Sequence, residues 1–206
     1  MHLARLAAIL RENKALVVAL VCATIFIALL EDVLTVEQMK LDAAAWWLVV
    51  EHMRQPWLTP IMESFSALAT PVSLSVILVI AVAFCPGRKP GWCCTLNLVL
   101  VFAINQTLKF VIQRPRPDGF RLATASGFSF PSGHSMVTMA VFGLLSWYVW
   151  RYEKNPRRRA VLLVLLGFAI VMVGISRIYL GVHYASDVLA GFCLSLIWLV
   201  FYTRII

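Results

Sequence analysis

Six apolar runs, each long enough to cross a bilayer, constrain the fold of this 206-residue chain more than any other feature. Crossing the hydrocarbon core takes about 20 predominantly apolar residues. A backbone in lipid must satisfy its own hydrogen bonds, and the runs lack strict two-residue alternation, so they predict helices. The runs cover approximately residues 15–34, 64–84, 92–112, 134–150, 160–176 and 184–202.

The composition agrees with a polytopic membrane protein. Hydrophobic residues make up 61% of the chain, whereas soluble domains are about 45–50% apolar. The six runs and their connections use up the length, so we expect one all-α membrane domain over residues 1–206. No repeat or low-complexity segment interrupts it.

The first run is open to two interpretations. Arg5, Arg11 and Lys14 precede it, as the basic region of a secretory signal peptide would. The sequence EDVLTVEQ follows it, where a cleaved signal would have small residues. This favours a retained first transmembrane helix.

The net charge of +8 is distributed as a topology signal. Lys and Arg collect on the cytoplasmic side of membrane proteins. In a six-helix arrangement the basic groups fall on one side, at residues 5–14, 88–89, 151–159 and 204. We therefore expect both termini in the cytoplasm of a cell whose cytoplasmic membrane holds the protein. Little charge is left to suggest a nucleic acid partner.

The five cysteines predict neither a disulfide framework nor a metal site. Cys22 and Cys193 lie inside apolar runs, and Cys85, Cys93 and Cys94 flank a loop predicted to be cytoplasmic, where thiols stay reduced. The adjacent Cys93 and Cys94 have no second pair at zinc-site spacing. We expect these side chains to pack as apolar groups.

Residues 35–60 form the first of three outward connections. Within them, an apolar helical face comprises Leu41, Ala44, Ala45, Leu48 and Val49. Trp46, Trp47 and Trp57 lie nearby, and tryptophan favours the membrane interface. Both an interfacial helix and an ordinary loop with aromatic anchors fit this pattern.

The second connection begins at Lys109, near the end of an apolar run. An ionisable group at membrane depth is costly and often functional, although a lysine can also extend its amine to the interface. Pro115 and Pro117 then hold the chain extended around Arg116.

The same connection ends in the sequence PSGHS. Ser132 is a favourable N-cap, and Gly133 allows a ligand to approach the backbone closely. A helix N-terminus presents free N–H groups to an anion. His134 would lie in the first helical turn, where a single histidine fits a structural role as well as a catalytic one.

The third connection is SRIYLGVHYASD, residues 176–187. His183 and Asp187 are four residues apart, which places their side chains on one face of a helix. Asp187 could then fix the tautomer of His183 and leave the other ring nitrogen as a nucleophile or base. A purely structural polar pair fits the same spacing.

The expected meeting of the three connections at one membrane face favours a functional site over separate structural roles. The charge-derived topology places all of them at one membrane face, with Lys109, Arg116 and Arg177 beside both histidines. Arginine binds phosphate oxygens bidentately, lysine supplies a point charge, and N–H groups complete such a site. The sequence therefore predicts a phosphate-binding pocket.

These motifs resemble the three-part signature of the type 2 phosphatidic acid phosphatase family. Lys109, six residues, Arg116-Pro117 corresponds to the first part, and Pro131-Ser132-Gly133-His134 to the second. Ser176-Arg177, five residues, His183, three residues, Asp187 corresponds to the third. The signature covers residues 109–187 without departure at any position, and the six-helix plan is similar to that of compact bacterial members.

The resemblance implies a role for each matched residue. His183 would be the nucleophile that forms a phosphohistidine, and Asp187 would orient it. His134 would protonate the leaving oxygen and then help to activate water. The expected phosphate-binding residues are Lys109, Arg116, Ser132, Gly133 and Arg177.

The sequence thus predicts a lipid phosphatase that acts at the extracytoplasmic face on phosphomonoesters or diphosphates. Undecaprenyl diphosphate, phosphatidylglycerophosphate and phosphatidic acid are the substrates that the resemblance implies. Fixed cations and a shortage of nearby carboxylates predict catalysis without a metal or another cofactor. The alternatives are a lipid phosphotransferase that uses the same histidines and a non-catalytic transporter or scaffold for anionic lipids. Oligomeric state is not encoded in any motif.

Overall fold

The computed structural model describes residues 13–35, 39–84, 89–119 and 121–206, and every regular element in these ranges is helical. The helices are α1 (Lys14–Thr35), α2 (Lys40–Trp46), α3 (Thr59–Ala67), α4 (Pro71–Phe84), α5 (Lys89–Ile112), α6 (Gly133–Tyr152), α7 (Pro156–Tyr179) and α8 (Ala185–Ile205). A π-helical segment, Trp47–His52, continues α2. The predicted all-α class is confirmed for these residues, whereas Arg5, Arg11, Cys85 and Arg88 lie outside them.

Four described helices are long and apolar enough to cross a membrane: α1, α5, α7 and α8. Helices α3 and α4 would make a fifth span if counted together, with a bend of 57° between them. The sequence predicts one helix over residues 64–84, but Pro71 begins a new one, and the Thr70 hydroxyl accepts a hydrogen bond from Ser73 N at 3.4 Å. Helix α6 is not among the helices that are long and apolar enough to cross a membrane, so the count of six spans stays a prediction.

Helix α6 occupies the centre of the helix bundle, in contact with α5, α7 and α8. Met136, Ala140 and Leu144 recur every four residues along it and are at most 1% exposed. Because this helix is surrounded by protein, polar residues such as Ser135 and Thr138 need not face lipid. A lower apolar content than that of the four candidate spans is therefore compatible with the central position of α6.

The outward surfaces of the helices are strongly apolar. The most exposed large apolar side chains include Val72, Phe110, Val111, Val164 and Ile205, each at least 70% exposed. A water-soluble monomer rarely exposes so much contiguous apolar surface. Such a surface is suited to contact with lipid chains.

Two glycines allow α8 to approach its neighbours closely. A β-carbon at Gly174 on α7 would lie 2.6 Å from the Phe192 ring, and one at Gly191 would lie 3.0 Å from the carbonyl oxygen of Ser132. Small residues are the usual means of close helix approach in membranes. Gly191 therefore holds the PSGH segment against α8.

Buried hydrogen bonds fix the register of the central helices. Asn97 on α5 donates to the Ala140 carbonyl at 2.8 Å and accepts from Trp198 Nε1 at 2.7 Å. Ser195 on α8 donates to the Met136 carbonyl at 2.9 Å. Unpaired polar groups are costly away from water, so these bonds define how α5, α6 and α8 align.

Candidate active site

Three connections meet at one end of the helix bundle. Leu122 N donates to the Leu180 carbonyl at 3.0 Å, and Ser132 N donates to the Asp187 carbonyl at 3.0 Å. Arg54 Nε donates to the carbonyl at the end of α7, that of Tyr179, at 2.8 Å. The convergence expected from charge counting is therefore present in the described structure.

A cavity of about 840 Å³ opens at this end. Six of the eight predicted site residues line it: Lys109, Arg116, Gly133, His134, Arg177 and His183. Three cationic side chains, both motif histidines and the first residue of α6 thus surround one space. The motif residues are brought together although they are spread over residues 109–183 of the chain.

The other two predicted residues, Ser132 and Asp187, lie behind the cavity wall and are fully buried. Ser132 is the N-cap of α6, as predicted, and its hydroxyl accepts hydrogen bonds from Ser135 N at 3.4 Å and Ser135 Oγ at 3.0 Å. The Ser132 hydroxyl thus serves the helix terminus, and its direct contact with phosphate stays a prediction.

The ring of His183 is held at both nitrogens. Nδ1 lies 3.2 Å from Asp187 Oδ2, and Nε2 lies 3.1 Å from Arg116 Nη1. A guanidinium group only donates, so Nε2 must accept, and Nδ1 must carry the proton that is donated to Asp187. The lone pair on Nε2 therefore faces the guanidinium of Arg116, and both side chains line the cavity.

Burial keeps this imidazole neutral. Removal from water lowers the pKa of His183 to about 4, although hydrogen bonding to Asp187 and the charge of that carboxylate act in the opposite direction. At neutral pH the ring is consequently unprotonated at Nε2. That is the state a histidine nucleophile requires.

The carboxylate of Asp187 is fully buried but well satisfied. Its Oδ1 accepts from Arg114 Nη1 at 2.6 Å. Its Oδ2 accepts from Tyr184 N at 2.9 Å and from the Ser129 hydroxyl, in addition to His183. A buried charge is tolerated only with such partners, so the carboxylate has a fixed orientation.

Two of the cations are held by backbone carbonyls of the connections between α5 and α6 and between α7 and α8. Lys109 Nζ donates to Phe128 O and lies 3.4 Å from Ser129 O. Arg116 donates to the carbonyls of Ser126 and Val182, each at 2.8 Å, and to that of Gly127 at 3.0 Å. The positions of both charges are therefore defined without a bound anion.

Arg177 has a spare donor at the cavity. Its Nη1 donates to the hydroxyl of Ser66 on α3, and the side chain is buried. Its Nε is also buried but has no acceptor among the residues that the structure describes. An unpaired buried N–H is unfavourable, and it belongs to a residue that lines the cavity.

The far side of the cavity is apolar. Leu74 on α4 and Leu98, Val99 and Phe102 on α5 contribute to its lining. Val99 and Phe102 are also more than half exposed on the outer surface of α5. The cavity therefore passes from a cationic end towards the lipid-facing surface of α4 and α5.

Sequence reasoning missed four residues at this site: Asp42, Ser66, Arg114 and Ser129. Arg114 stands two positions before Arg116, and its place in a charged motif was an available signal. No local pattern distinguished Asp42, Ser66 or Ser129 from other polar residues. Their contacts depend on helices that lie far apart in the chain.

The donor groups around the cavity do not resemble a metal site. No group of three or more His, Cys, Asp or Glu side chains arranged to hold a metal ion occurs within the described ranges. The charged groups that face the cavity are cations, which repel a metal ion. The donor chemistry of the cavity is thus that of an anion site.

Comparison with known families and curated proteins gives three findings. The model of the PAP2 superfamily matches residues 90–206. Phosphatidylglycerophosphatase B of Bacillus subtilis is 38% identical over 150 residues, which cover 70% of this chain and 73% of that protein. An undecaprenyl-diphosphatase of Sulfolobus acidocaldarius is 31% identical over 117 residues, which cover 52% of this chain and 51% of that protein.

Comparison with solved structures also finds a PAP2-type phosphatase. The crystal structure of a transmembrane PAP2-type phosphatidylglycerolphosphate phosphatase from Bacillus subtilis superimposes with a TM-score of 0.81 and 30% sequence identity. The match covers 91% of this chain and 94% of that structure. It therefore extends into the first 89 residues, which the family model does not reach.

Proposed function

Because this chain belongs to the PAP2 superfamily of phosphatases, we propose that it hydrolyses lipid phosphomonoesters or diphosphates through a phosphohistidine intermediate. Its long apolar helices indicate a membrane protein. Its relatives indicate a phosphatase of lipid metabolism. Undecaprenyl diphosphate and phosphatidylglycerophosphate are the substrates that we propose first, with phosphatidic acid as a third. The proposed domain is a single unit over residues 1–206.

The single observation that carries this proposal is the neutral imidazole of His183 among three cations. Its Nε2 lone pair faces Arg116, while Lys109 and Arg177 line the same cavity. Cations draw the phosphate in and neutralise charge on its oxygens, and the imidazole supplies the nucleophile. A site that only bound anions would gain nothing from a histidine oriented by a buried carboxylate.

The shape of the cavity supports a lipid substrate. The phosphate would occupy the end that contains Lys109 and Arg177, and the chain would leave past Leu98 and Phe102 towards the bilayer. A headgroup at the interface can then react while its chains stay in lipid. This arrangement does not distinguish one lipid tail from another.

The proposed reaction has two balanced steps. His183 Nε2 attacks phosphorus, the bond from phosphorus to the lipid oxygen breaks, and protonated His134 transfers its proton to that oxygen. Negative charge on the bound phosphate favours the protonated form of His134 beforehand. In the second step neutral His134 removes a proton from water, the oxygen attacks phosphorus, and the phosphorus–nitrogen bond to His183 breaks to release inorganic phosphate.

We also propose an orientation and a span count. Six spans follow if α6 and the bent α3–α4 pair each cross the membrane. Leu41, Trp47 and Leu48 are 41–55% exposed on α2 and the π-helical segment, which supports a position along the outer interface. The basic loop at residues 151–159 would be cytoplasmic and the cavity extracytoplasmic, in the cytoplasmic membrane of the cell.

Phosphate release by the purified protein tests the proposed activity. Undecaprenyl diphosphate, phosphatidylglycerophosphate and phosphatidic acid should each be assayed in detergent micelles, with free inorganic phosphate as the readout. We expect release from at least one of them and no change when a chelator is added, because Lys109, Arg116 and Arg177 supply the charge that Mg²⁺ supplies elsewhere. Loss of activity with chelator, restored by added metal, would contradict metal independence.

The same assay separates the alternatives. A phosphotransferase would consume the lipid phosphate but place most of the phosphate on an acceptor lipid. A transporter or scaffold would bind the lipids without consuming them. Either result, in place of free phosphate, would overturn the proposed hydrolysis.

Single cysteines test the orientation. Asp118 lies in the loop beside the cavity and Lys154 in the loop at the opposite end of α6, and both are exposed. With a thiol reagent that does not cross membranes, Asp118→Cys should be labelled in intact cells and Lys154→Cys only after permeabilisation. The parent protein controls for its native thiols, and the reverse pattern would place the cavity in the cytoplasm.

A further inference from the structure

Arg114 connects two buried carboxylates behind the cavity. Its Nη1 donates to Asp187 Oδ1 at 2.6 Å and to Ser186 Oγ at 2.7 Å. Its Nη2 donates to Asp42 Oδ2 at 2.8 Å. The guanidinium also lies over the ring of Tyr184, 4.1 Å from the ring centroid. Both terminal nitrogens and one face of the guanidinium therefore have defined partners.

Asp42 fastens this arrangement to α2. Its Oδ1 accepts from Ser186 N at 2.8 Å, and its Oδ2 accepts from Ser186 Oγ at 2.7 Å. The side chain is buried although α2 lies at the periphery of the molecule, and 144 positions separate it from Ser186. Asp42 thus binds the first turn of α8, the turn that contains Asp187.

The two oxygens of Asp187 have separate partners. Oδ1 accepts from Arg114, whereas Oδ2 accepts from the backbone N–H of Tyr184 and from His183 Nδ1. A carboxylate held at only one oxygen can rotate about its bond to the β-carbon. With Arg114 in place, Oδ2 stays directed at Nδ1 of His183, which keeps Nε2 directed at the cavity.

Arg114 does not touch the space that a phosphate would occupy. The residues that line the large cavity include Arg116 but not Arg114, which lines a separate cavity of about 640 Å³ with Asp42 and Tyr184. Burial acts to lower the pKa of Arg114, but Asp187 and Asp42 outweigh it and raise the pKa. The guanidinium is therefore a permanent charge bound to the protein rather than to substrate.

We propose that Arg114, held in place by Asp42, is a positioning residue for phosphoryl transfer that acts through Asp187 on the orientation of His183. The proposal rests on the proposed function and assigns a role to residues 39–52, which deliver Asp42. It differs from a purely structural link between α2 and α8. A structural link would affect stability, whereas a positioning residue affects kcat in protein that remains folded and still binds phosphate.

Steady-state kinetics of Arg114→Ala test this role. We expect kcat for a lipid phosphate to fall about 100-fold, the scale on which a small misplacement of a reacting group acts. KM and the inhibition constant of inorganic phosphate should each stay within about threefold, since the phosphate-binding cations are untouched. Arg114→Lys should recover about tenfold of the loss, because an amine retains the charge but cannot bridge two carboxylates.

Asp42→Asn provides the second variant. Its carboxamide keeps an acceptor for Ser186 N but removes the charge that holds Arg114, so kcat should fall about tenfold in the wild-type background and little further in Arg114→Ala. Arg121→Ala is the matched control, since this arginine of the same loop donates to the Pro117 carbonyl and is exposed. It should retain wild-type kinetics.

The outcomes separate this proposal from the proposed function. Wild-type protein that releases phosphate while folded Arg114→Ala, Arg114→Lys and Asp42→Asn keep full kcat overturns the positioning role alone. A loss that appears in KM and in phosphate inhibition would make Arg114 a phosphate-binding residue instead. If Arg114→Ala does not fold, the kinetics of Arg114→Lys and Asp42→Asn test the positioning role. If these two variants also fail to fold, the Arg114 contacts are a structural link between α2 and α8, and the positioning role is overturned. Wild-type protein without activity on any lipid phosphate would overturn both.

Discussion

Replacement of His183 by alanine should lower the turnover of a lipid phosphate by about 10⁴-fold or more, the scale on which loss of a nucleophile acts. The ring is buried and fixed by Asp187, and its replacement removes the nucleophile of the proposed mechanism. Binding should persist, because Lys109, Arg116 and Arg177 remain. The expected phenotype is a protein that binds phosphate without releasing product.

Two measurements establish this result. The first is kcat for phosphate release, with inorganic phosphate binding to the purified protein measured in parallel. The second is rapid quenching with radiolabelled lipid phosphate, after which wild-type protein should carry an acid-labile, base-stable label that is absent from His183→Ala. His52→Ala is the matched control, because His52 is exposed and its Nδ1 lies 2.8 Å from the Trp47 carbonyl.

Full activity in His183→Ala would remove the nucleophile from the proposed mechanism. Loss of both turnover and phosphate binding in folded protein would instead make His183 part of the binding site. A label that persists in the variant would indicate that another residue forms the covalent intermediate.

Replacement of His134 by glutamine should have the second largest effect, a decrease of about 10²–10⁴-fold, as is usual for loss of a general acid or base. His134 lines the same cavity as His183, one residue after the N-terminus of α6. In the proposed mechanism it protonates the lipid oxygen and then deprotonates water. The two roles can be separated by the choice of leaving group.

A nitrophenyl phosphate provides that separation. Its leaving group is stable as an anion and needs no proton, so formation of the phosphohistidine should be impaired by less than about tenfold. Hydrolysis of the intermediate still requires a base, so the phosphorylated enzyme should accumulate to a higher steady-state level in His134→Gln than in wild-type protein. Burst kinetics followed by a slow steady state are the expected signature.

Two results would argue against these roles. An equal loss with lipid phosphate and nitrophenyl phosphate, and no accumulated intermediate, would indicate that His134 shapes the pocket rather than transfers protons. Wild-type rates in His134→Gln would remove it from the mechanism altogether. The histidine at position 52 again provides the control substitution, His52→Gln.

Much of the helical architecture and the identity of the motif residues followed from the sequence alone. Apolar runs predict helices because a backbone in lipid has no other partner, and α1, α5, α7 and α8 match the predicted runs closely. Ser132 at the start of α6 and the pairing of His183 with Asp187 were also predicted. The expected helical position of His183 was wrong, because α8 begins at Ala185 and His183 reaches Asp187 from the turn before it. The family signature added roles that spacing alone left open.

Tertiary structure decided how these residues are held. The break between α3 and α4 directs Ser66 to Arg177 across 111 positions, and α2 directs Asp42 to Ser186 across 144. Neither contact can be predicted from a local or periodic sequence pattern. A polar residue on a short helix cannot be told from a solvent-exposed one until the partner helix is known. The sequence thus determined which groups are proposed to carry the chemistry. Long-range packing determined which buried charges lie beside them, since only packing can bring an arginine and two distant carboxylates within hydrogen-bonding distance.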